Sequence, residues 1–354
     1  MKRILTAILL AAGLATTGHA ADLKMGFILP SPAADVGWAK QLDLGREAVE
    51  AAFGDRVETT MVESVPEGPD AARVMNQMIS DGATMLMLGS FGYMNDGLKL
   101  ARSHPEVAMI HASGYKQADN FATFTARNYE GFYLGGMAAG MVTKSNIIGM
   151  VAAFAIPEVV AEVNAITLAA QKVNPEAQVK VIWLNSWFDP PKAQEAARAL
   201  ISQGADVLFS LHQDTPSVVN VAEAEGIYVV NTSSDMSAYG PNSVLASVTN
   251  DWSDYFVSLV QDKLDGKFKG ADFRGGLSEG AVKMAAWSKD LSDEQMAELK
   301  KTEESFAAGQ SHAFDGPIID QDGTERVAAG ATLPDGEIFG MNWLVKGVDG
   351  SVPN

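Results

Sequence analysis

The sequence predicts an α/β protein built as two doubly wound parallel-sheet lobes joined by a hinge, and three observations predict it. First, the chain repeats itself. Ala71-Ala72-Arg73 leads through Met78-Ile79-Ser80-Asp81-Gly82-Ala83 into Thr84-Met85-Leu86-Met87-Leu88, and Ala196-Ala197-Arg198 leads through Leu200-Ile201-Ser202-Gln203-Gly204-Ala205 into Asp206-Val207-Leu208-Phe209. Each copy reads as a helix, a glycine stop and a buried strand. Second, another apolar run follows each copy, residues 107–110 and 227–230, and each ends in small polar residues. Third, 354 residues are enough for two domains that each bury a core. Two such lobes imply a cleft between them, and open parallel sheets gather ligands beyond the carboxyl ends of their strands.

Lys2-Arg3, an apolar stretch from Ile4 to about Ala15 and Gly18-His19-Ala20 follow the charged, hydrophobic and small-residue order of a secretory signal peptide cleaved after Ala20. No apolar run reaches the roughly 18 residues that span a bilayer, so a freely diffusing periplasmic product is expected. Residues 21–354 carry 24 basic and 44 acidic side chains. That excess of acid argues against a nucleic-acid partner, because phosphate binding needs clustered Lys and Arg. The chain has no cysteine, which excludes disulfides, thiolate nucleophiles and a lipid anchor on a thiol. A monomer is expected.

In order along the chain, Met25-Gly26-Phe27-Ile28-Leu29 is a strand running into Pro30-Ser31-Pro32, and residues 38–53 carry apolar positions at helical spacing with Gly54 as the stop. Residues 57–62 form the next strand, followed by the first repeat helix and the strands ending at Leu88 and Ile110. Residues 129–142 read as a Gly- and Ala-rich helix whose glycines serve close helix packing. Ile147-Ile148-Gly149-Met150-Val151 then restarts the series: a helix near 162–173, a strand at 179–184, the repeat helix near 192–202, and strands ending at Phe209 and Val230. After residues 244–248 come a helix at 252–264, a short strand at 282–285 and an acidic helix at 292–307. These late pieces are too short to stand alone, so the backbone crosses between lobes more than once and makes a hinge. The expected division is 21–126 plus about 253–285 for lobe 1, and 127–252 plus about 286–354 for lobe 2.

Marks of covalent chemistry are missing. The sequence has no phosphate-binding G-x-x-x-x-G-K-[ST], no H-E-x-x-H and no G-x-S-x-G, and Met137 stands where a dinucleotide fingerprint needs glycine. His104, His111, His212 and His312 are scattered singly. Neither a metal, a cofactor nor an enzyme activity is expected.

Four strand-end loops carry residues suited to a flat polar ligand. Trp38 in Asp35-Val36-Gly37-Trp38 and Trp187 in Asn185-Ser186-Trp187-Phe188-Asp189-Pro190 place one indole in each lobe, where two rings could close on the faces of a base. Their other possible role is to cap the core of their own lobe. Asp214 in His212-Gln213-Asp214-Thr215-Pro216 and Asp235 in Ser233-Ser234-Asp235-Met236 end two neighbouring strands. A carboxylate only accepts hydrogen bonds, so such a pair would select ring N–H or NH₂ donors; the alternative is capping the helix that follows. Asn185, Phe188, His111 and Ser113 are secondary candidates.

Asp35-Val36-Gly37-Trp38, Arg127-Asn128-Tyr129-Glu130-Gly131-Phe132-Tyr133-Leu134-Gly135-Gly136, Met141-Val142-Thr143-Lys144, Pro157-Glu158-Val159, Asn185-Ser186-Trp187-Phe188-Asp189-Pro190, Gln203-Gly204-Ala205-Asp206-Val207 and Ser234-Asp235-Met236-Ser237 together resemble the basic membrane protein family of ABC-transporter substrate-binding proteins, in its proteobacterial purine-binding branch. The resemblance implies a type I periplasmic-binding fold, a purine base or purine nucleoside as ligand, and an ABC permease in the inner membrane as partner. It makes Trp38 and Trp187 an aromatic sandwich and Asp214 and Asp235 contacts on the base. Ala39 departs from the Asn common in nucleoside-binding relatives, and Gln213 and Asn231-Thr232 also differ from the purine-binding pattern, which leaves the exact base open; adenine or another free purine base is expected over a ribosylated one. The competing readings are a periplasmic nucleoside hydrolase using Asp214 or Asp235, and a sensory module on the same fold.

Overall fold

The computed structural model describes residues 21–353, so the signal-peptide expectation falls outside the described residues. Lobe 1 opens with β1 (Leu23–Ile28), α1 (Trp38–Phe53), β2 (Val57–Val62), α2 (Pro69–Ser80), β3 (Met85–Leu88), α3 (Met94–Ser103), β4 (Ala108–Ala112) and β5 (Phe121–Ala126). Lobe 2 follows with α4 (Asn128–Val142), β6 (Ile147–Ala152), α5 (Pro157–Val173), β7 (Gln178–Trp183), α6 (Pro190–Ser202), β8 (Val207–Leu211), α7 (Ser217–Glu225), β9 (Tyr228–Ser233) and β10 (Val244–Asn250). The chain then returns through α8 (Ser253–Leu264) and β11 (Asp272–Gly275), and ends with β12 (Val282–Ala285), α9 (Asp293–Ala307), a small hairpin of β13 (Ile318–Ile319) and β14 (Glu325–Val327), and β15 (Val348–Asp349).

Both lobes are open sheets covered by helices. The first has the order β2-β1-β3-β4-β5-β11 with every pair parallel. The second has the order β7-β6-β8-β9-β10 at its centre, with β15 added beside β7 and β12 antiparallel to β10. Strands buried on both faces need apolar residues on both faces. β3 and β8 accordingly read Met-Leu-Met-Leu and Val-Leu-Phe-Ser-Leu with every residue buried.

Backbone crosses between the lobes at residues 126–128, 250–253 and 275–282. The third crossing corrects the expected boundary. Residues 282–285 belong to lobe 2, because Val282 to Ala285 pair with Asn250 to Ser247 at the edge of the second sheet. Other departures are local. The strand β5 carries few sequence marks because Phe-Ala-Thr-Phe-Thr-Ala alternates weakly. α5 begins at Pro157, five residues before the expected start, since proline at N1 needs no amide partner. The segment after residue 315 docks on α5, where Asn164 donates to the Trp343 carbonyl at 2.8 Å and accepts from the Val345 amide at 2.9 Å.

The glycines of α4 do pack helices. A Cβ at Gly136 would stand 2.6 Å from the Ile166 carbonyl oxygen, and one at Gly140 would stand 2.7 Å from that of Ala170. α4 and α5 therefore touch backbone to backbone, which only a missing side chain allows.

Candidate ligand-binding site

In each sheet the strand order reverses beside the first strand of that lobe: β1 lies between β2 and β3, and β6 lies between β7 and β8. Connections leaving neighbouring strands diverge there to opposite faces and open a crevice at the carboxyl edge. The two crevices face each other. Between them is a narrow cavity, walled in lobe 1 by Pro30, Trp38, Ser90 and Phe91 and in lobe 2 by Glu158, Trp187, His212 and Asp214. Ser113, at the end of β4, also reaches it.

Trp38 and Trp187 thus share one cavity. Trp38 is fixed from behind: its ring lies 6.3 Å from Phe124 with 20° between the planes, and its indole N–H donates to the Gly89 carbonyl at 2.9 Å. It packs on the lobe 1 core and lines the cavity at once. Trp187 leans on Phe154 at 4.7 Å, and its N–H reaches across the cleft to Glu67 Oε1 at 3.3 Å. Glu67 also accepts from Ser90 Oγ at 2.5 Å and the Gly92 amide at 3.0 Å, so one carboxylate of lobe 1 organises both walls.

Asp214 is buried and lines the cavity. Rather than capping its own helix, it crosses to lobe 1. One oxygen accepts the Trp38 amide at 2.6 Å, and the carboxylate also takes the Ser31 hydroxyl and the Ala39 amide. Gly37, which precedes α1, supplies no side chain to cap that helix, so a carboxylate from the other lobe satisfies its first free N–H groups. Burial pushes the Asp214 carboxyl upward against these donors. Three of its roughly four acceptor sites are taken, leaving one for a ligand. Ser234 adds a parallel link, accepting the Gly37 amide at 2.9 Å and the Gln41 side chain at 2.7 Å.

The remaining candidates separate. Asp235 is exposed, and its carboxylate accepts the Ser237 amide at 2.8 Å, a local turn away from the cavity walls. Asn185 and Phe188 line an adjoining cleft with Ser31, Glu67 and Trp187, at the mouth of the site. His111 lies wholly inside lobe 1, stacked near Phe121; its Nε2–H donates to the Ser90 carbonyl at 2.9 Å, and burial lowers it to about 4, so it is neutral. It supports the cavity wall without touching the cavity.

Glu158 and His212, which strand-end reasoning passed over, complete the lobe 2 wall, with Glu162 beside them. Ser113 Oγ donates to Glu158 Oε2 at 2.6 Å across the cleft. His212 Nε2 contacts both oxygens of Glu162, at 2.8 and 3.0 Å. Glu158, Glu162 and His212 bring their polar atoms within 4.8 Å of one another, joined by the His212–Glu162 ion pair and the Ser113–Glu158 hydrogen bond. Burial alone would lower His212, but Glu162, aided by Glu158 and Asp214, raises it to about 9. Burial raises Glu158 to about 7. The sequence signal was present: two glutamates four apart on one face of a helix rich in Val and Ala.

Two facing α/β lobes, three crossings and a cavity at both switch points define a two-lobed solute-binding protein. Solved structures share that fold: an ABC transporter solute-binding protein of Aeropyrum pernix aligns with a TM-score of 0.73 at 15% identity over 90% of this chain and 95% of its own. One of Conexibacter woesei gives 0.65 at 19% identity over 82% and 98%. The profile of the PnrA-like ABC transporter substrate-binding proteins matches residues 23–313, and the chain belongs to that family. Its members are substrate-binding proteins, not enzymes. A purine-binding protein of Brucella abortus is 40% identical over 336 residues, 95% of each chain. A protein of Haloferax volcanii named for glucose binding by an ABC transporter is 34% identical over 332 residues, 94% of this chain and 82% of that one.

Proposed function

We propose that this ABC transporter substrate-binding protein captures a purine base, adenine-like rather than ribosylated, and presents it in the periplasm to an inner-membrane permease. The observation that carries this reading is the cavity shared by Trp38 and Trp187, one indole from each lobe. Aromatic stacking is worth roughly 1–3 kcal/mol per base, so two faces supply a large part of the affinity of a ligand this small. The ligand edge meets Asp214, Glu158 and Ser113, and the Brucella relative is named for purine binding. Closure is favoured because a ligand held by both lobes binds the closed form better than the open one.

A thermal-shift screen followed by calorimetry tests the reading, with adenine, guanine, hypoxanthine, adenosine and glucose as ligands. Adenine is expected to raise the melting temperature most, since a ligand that binds only the native state stabilises it by mass action. A shift with glucose and none with any purine overturns the purine reading. Trp187→Ala should weaken adenine binding by roughly 1–3 kcal/mol without lowering the melting temperature of the free protein.

A further inference from the structure

Glu158 stands second in α5 on the cavity wall, and among the described residues its carboxyl has one hydrogen-bond partner, the Ser113 hydroxyl of lobe 1. That bond is accepted by Oε2 and leaves Oε1 to the cavity. Around it the charges do not balance. The residues lining the cavity include no Lys or Arg. His212 is the one cation, and it is held by Glu162. Asp214 has the Trp38 and Ala39 amides and the Ser31 hydroxyl. Glu158 has a hydroxyl alone, with Glu162 one turn along its own helix and His212 and Asp214 on the loop after β8. Two buried carboxyls beside a single imidazolium do not both ionise readily. The α5 N-terminus and His212 favour the anion, yet burial outweighs them and brings this carboxyl to about 7.

We infer that Glu158 meets the ligand as a neutral carboxylic acid whose Oε1–H donates to a bare ring nitrogen, while Oε2 keeps the proton of Ser113. A carboxylate could only accept and would select ligand N–H groups; the acid selects a lone pair. This rests on the purine reading and deepens it: the edge facing α5 is an unprotonated imine nitrogen, and losing the proton from Glu158 costs binding. Glutamine has the same shape, with an N–H in place of the O–H and no titration.

Calorimetry with adenine, uncharged across the range used, tests this on the full mature protein at pH 6.0 and 8.0, each in two buffers of different ionisation enthalpy. If only the acid form binds, the dissociation constant is divided by the competent fraction, which predicts about a tenfold rise from pH 6 to 8. Binding should take up nearly one proton per site at pH 8 and almost none at pH 6. His212, raised to about 9, keeps its proton over this interval. Glu158→Gln should bind within about threefold of the wild type at pH 6 and show no slope, because its amide supplies the donor at every pH. A wild-type affinity flat in pH with no proton uptake overturns the inference while leaving purine capture intact. So does a Glu158→Gln protein that keeps the slope, or one that folds normally and no longer binds. Should the glutamine variant fail to fold, the wild-type slope and proton uptake still decide. Absence of purine binding at both pH values defeats the purine reading itself, and this inference with it.

Discussion

Asp214 offers the most demanding test of how the lobes are held together. Replacing it by alanine removes the acceptor for the Trp38 amide at 2.6 Å, the Ala39 amide and the Ser31 hydroxyl, all from the opposite lobe. In the open form water takes over those donors, so the penalty falls on the closed form. A hydrogen bond to a charged group contributes about 1.5–3 kcal/mol, and truncating one partner of a buried charged set costs more than one such bond and less than their sum. Taking about 3 kcal/mol for the group, the closed-to-open ratio falls by about 150-fold. Two dyes, one on α2 and one on α6, would report the interlobe distance by single-molecule energy transfer with and without adenine. The expected result is a free protein shifted to the open distance and an adenine affinity reduced in proportion, with the melting temperature changed little because each lobe keeps its own core. An Asp214→Ala protein that closes as readily as the wild type would refute the assignment of Asp214 as an interlobe latch.

Three further outcomes follow from the same geometry. Gly37 has φ +100°, and a Cβ there would lie 2.7 Å from Asp214 Oδ1 and 2.9 Å from its Cα; Gly37→Ala should therefore oppose closure, seen as a larger radius of gyration by X-ray scattering in saturating ligand, and an unchanged radius would contradict it. His212 is raised to about 9, so its contribution to stability is complete below the unfolded value of about 6.5 and disappears as pH climbs through 9; urea unfolding should lose up to ~3 kcal/mol between pH 6.5 and 9.5, and His212→Gln should abolish that loss. Gly136→Val in α4 drives a side chain into the Ile166 carbonyl of α5 and should destabilise lobe 2 by at least ~1–3 kcal/mol in the same assay, with lobe 1 hydrogen exchange unaffected.

Much of this protein was legible from residues alone, because period and punctuation are local. The repeat of helix, Gly82 or Gly204, and apolar strand named both lobes, and the left-handed φ of +95° and +96° at those glycines shows why the punctuation is glycine. The two tryptophans were legible for a related reason: an indole in a strand-end loop stands out against the polar residues usual there. Asp214 was legible as a cleft residue, but its contact with α1 was not, since a sequence shows which helix follows a carboxylate and never which helix end arrives from the other lobe. The exposure of Asp235 was hidden for the same reason, one strand further along.

Sequence by itself determined the parallel sheets, the two lobes, the glycine-lined helix and the pair of indoles, all of which depend on side chains a few positions apart. Only the tertiary structure decided the joining of residues far apart in the chain: β12 on the second sheet, Ser113 on Glu158 at 45 positions, Glu67 on Trp187 at 120, and Asp214 on the N-terminus of α1 at 176. The last three contacts depend on how the two lobes approach each other. Their energies are set by burial and by the direction of a few hydrogen bonds across the cleft, quantities that no local pattern encodes.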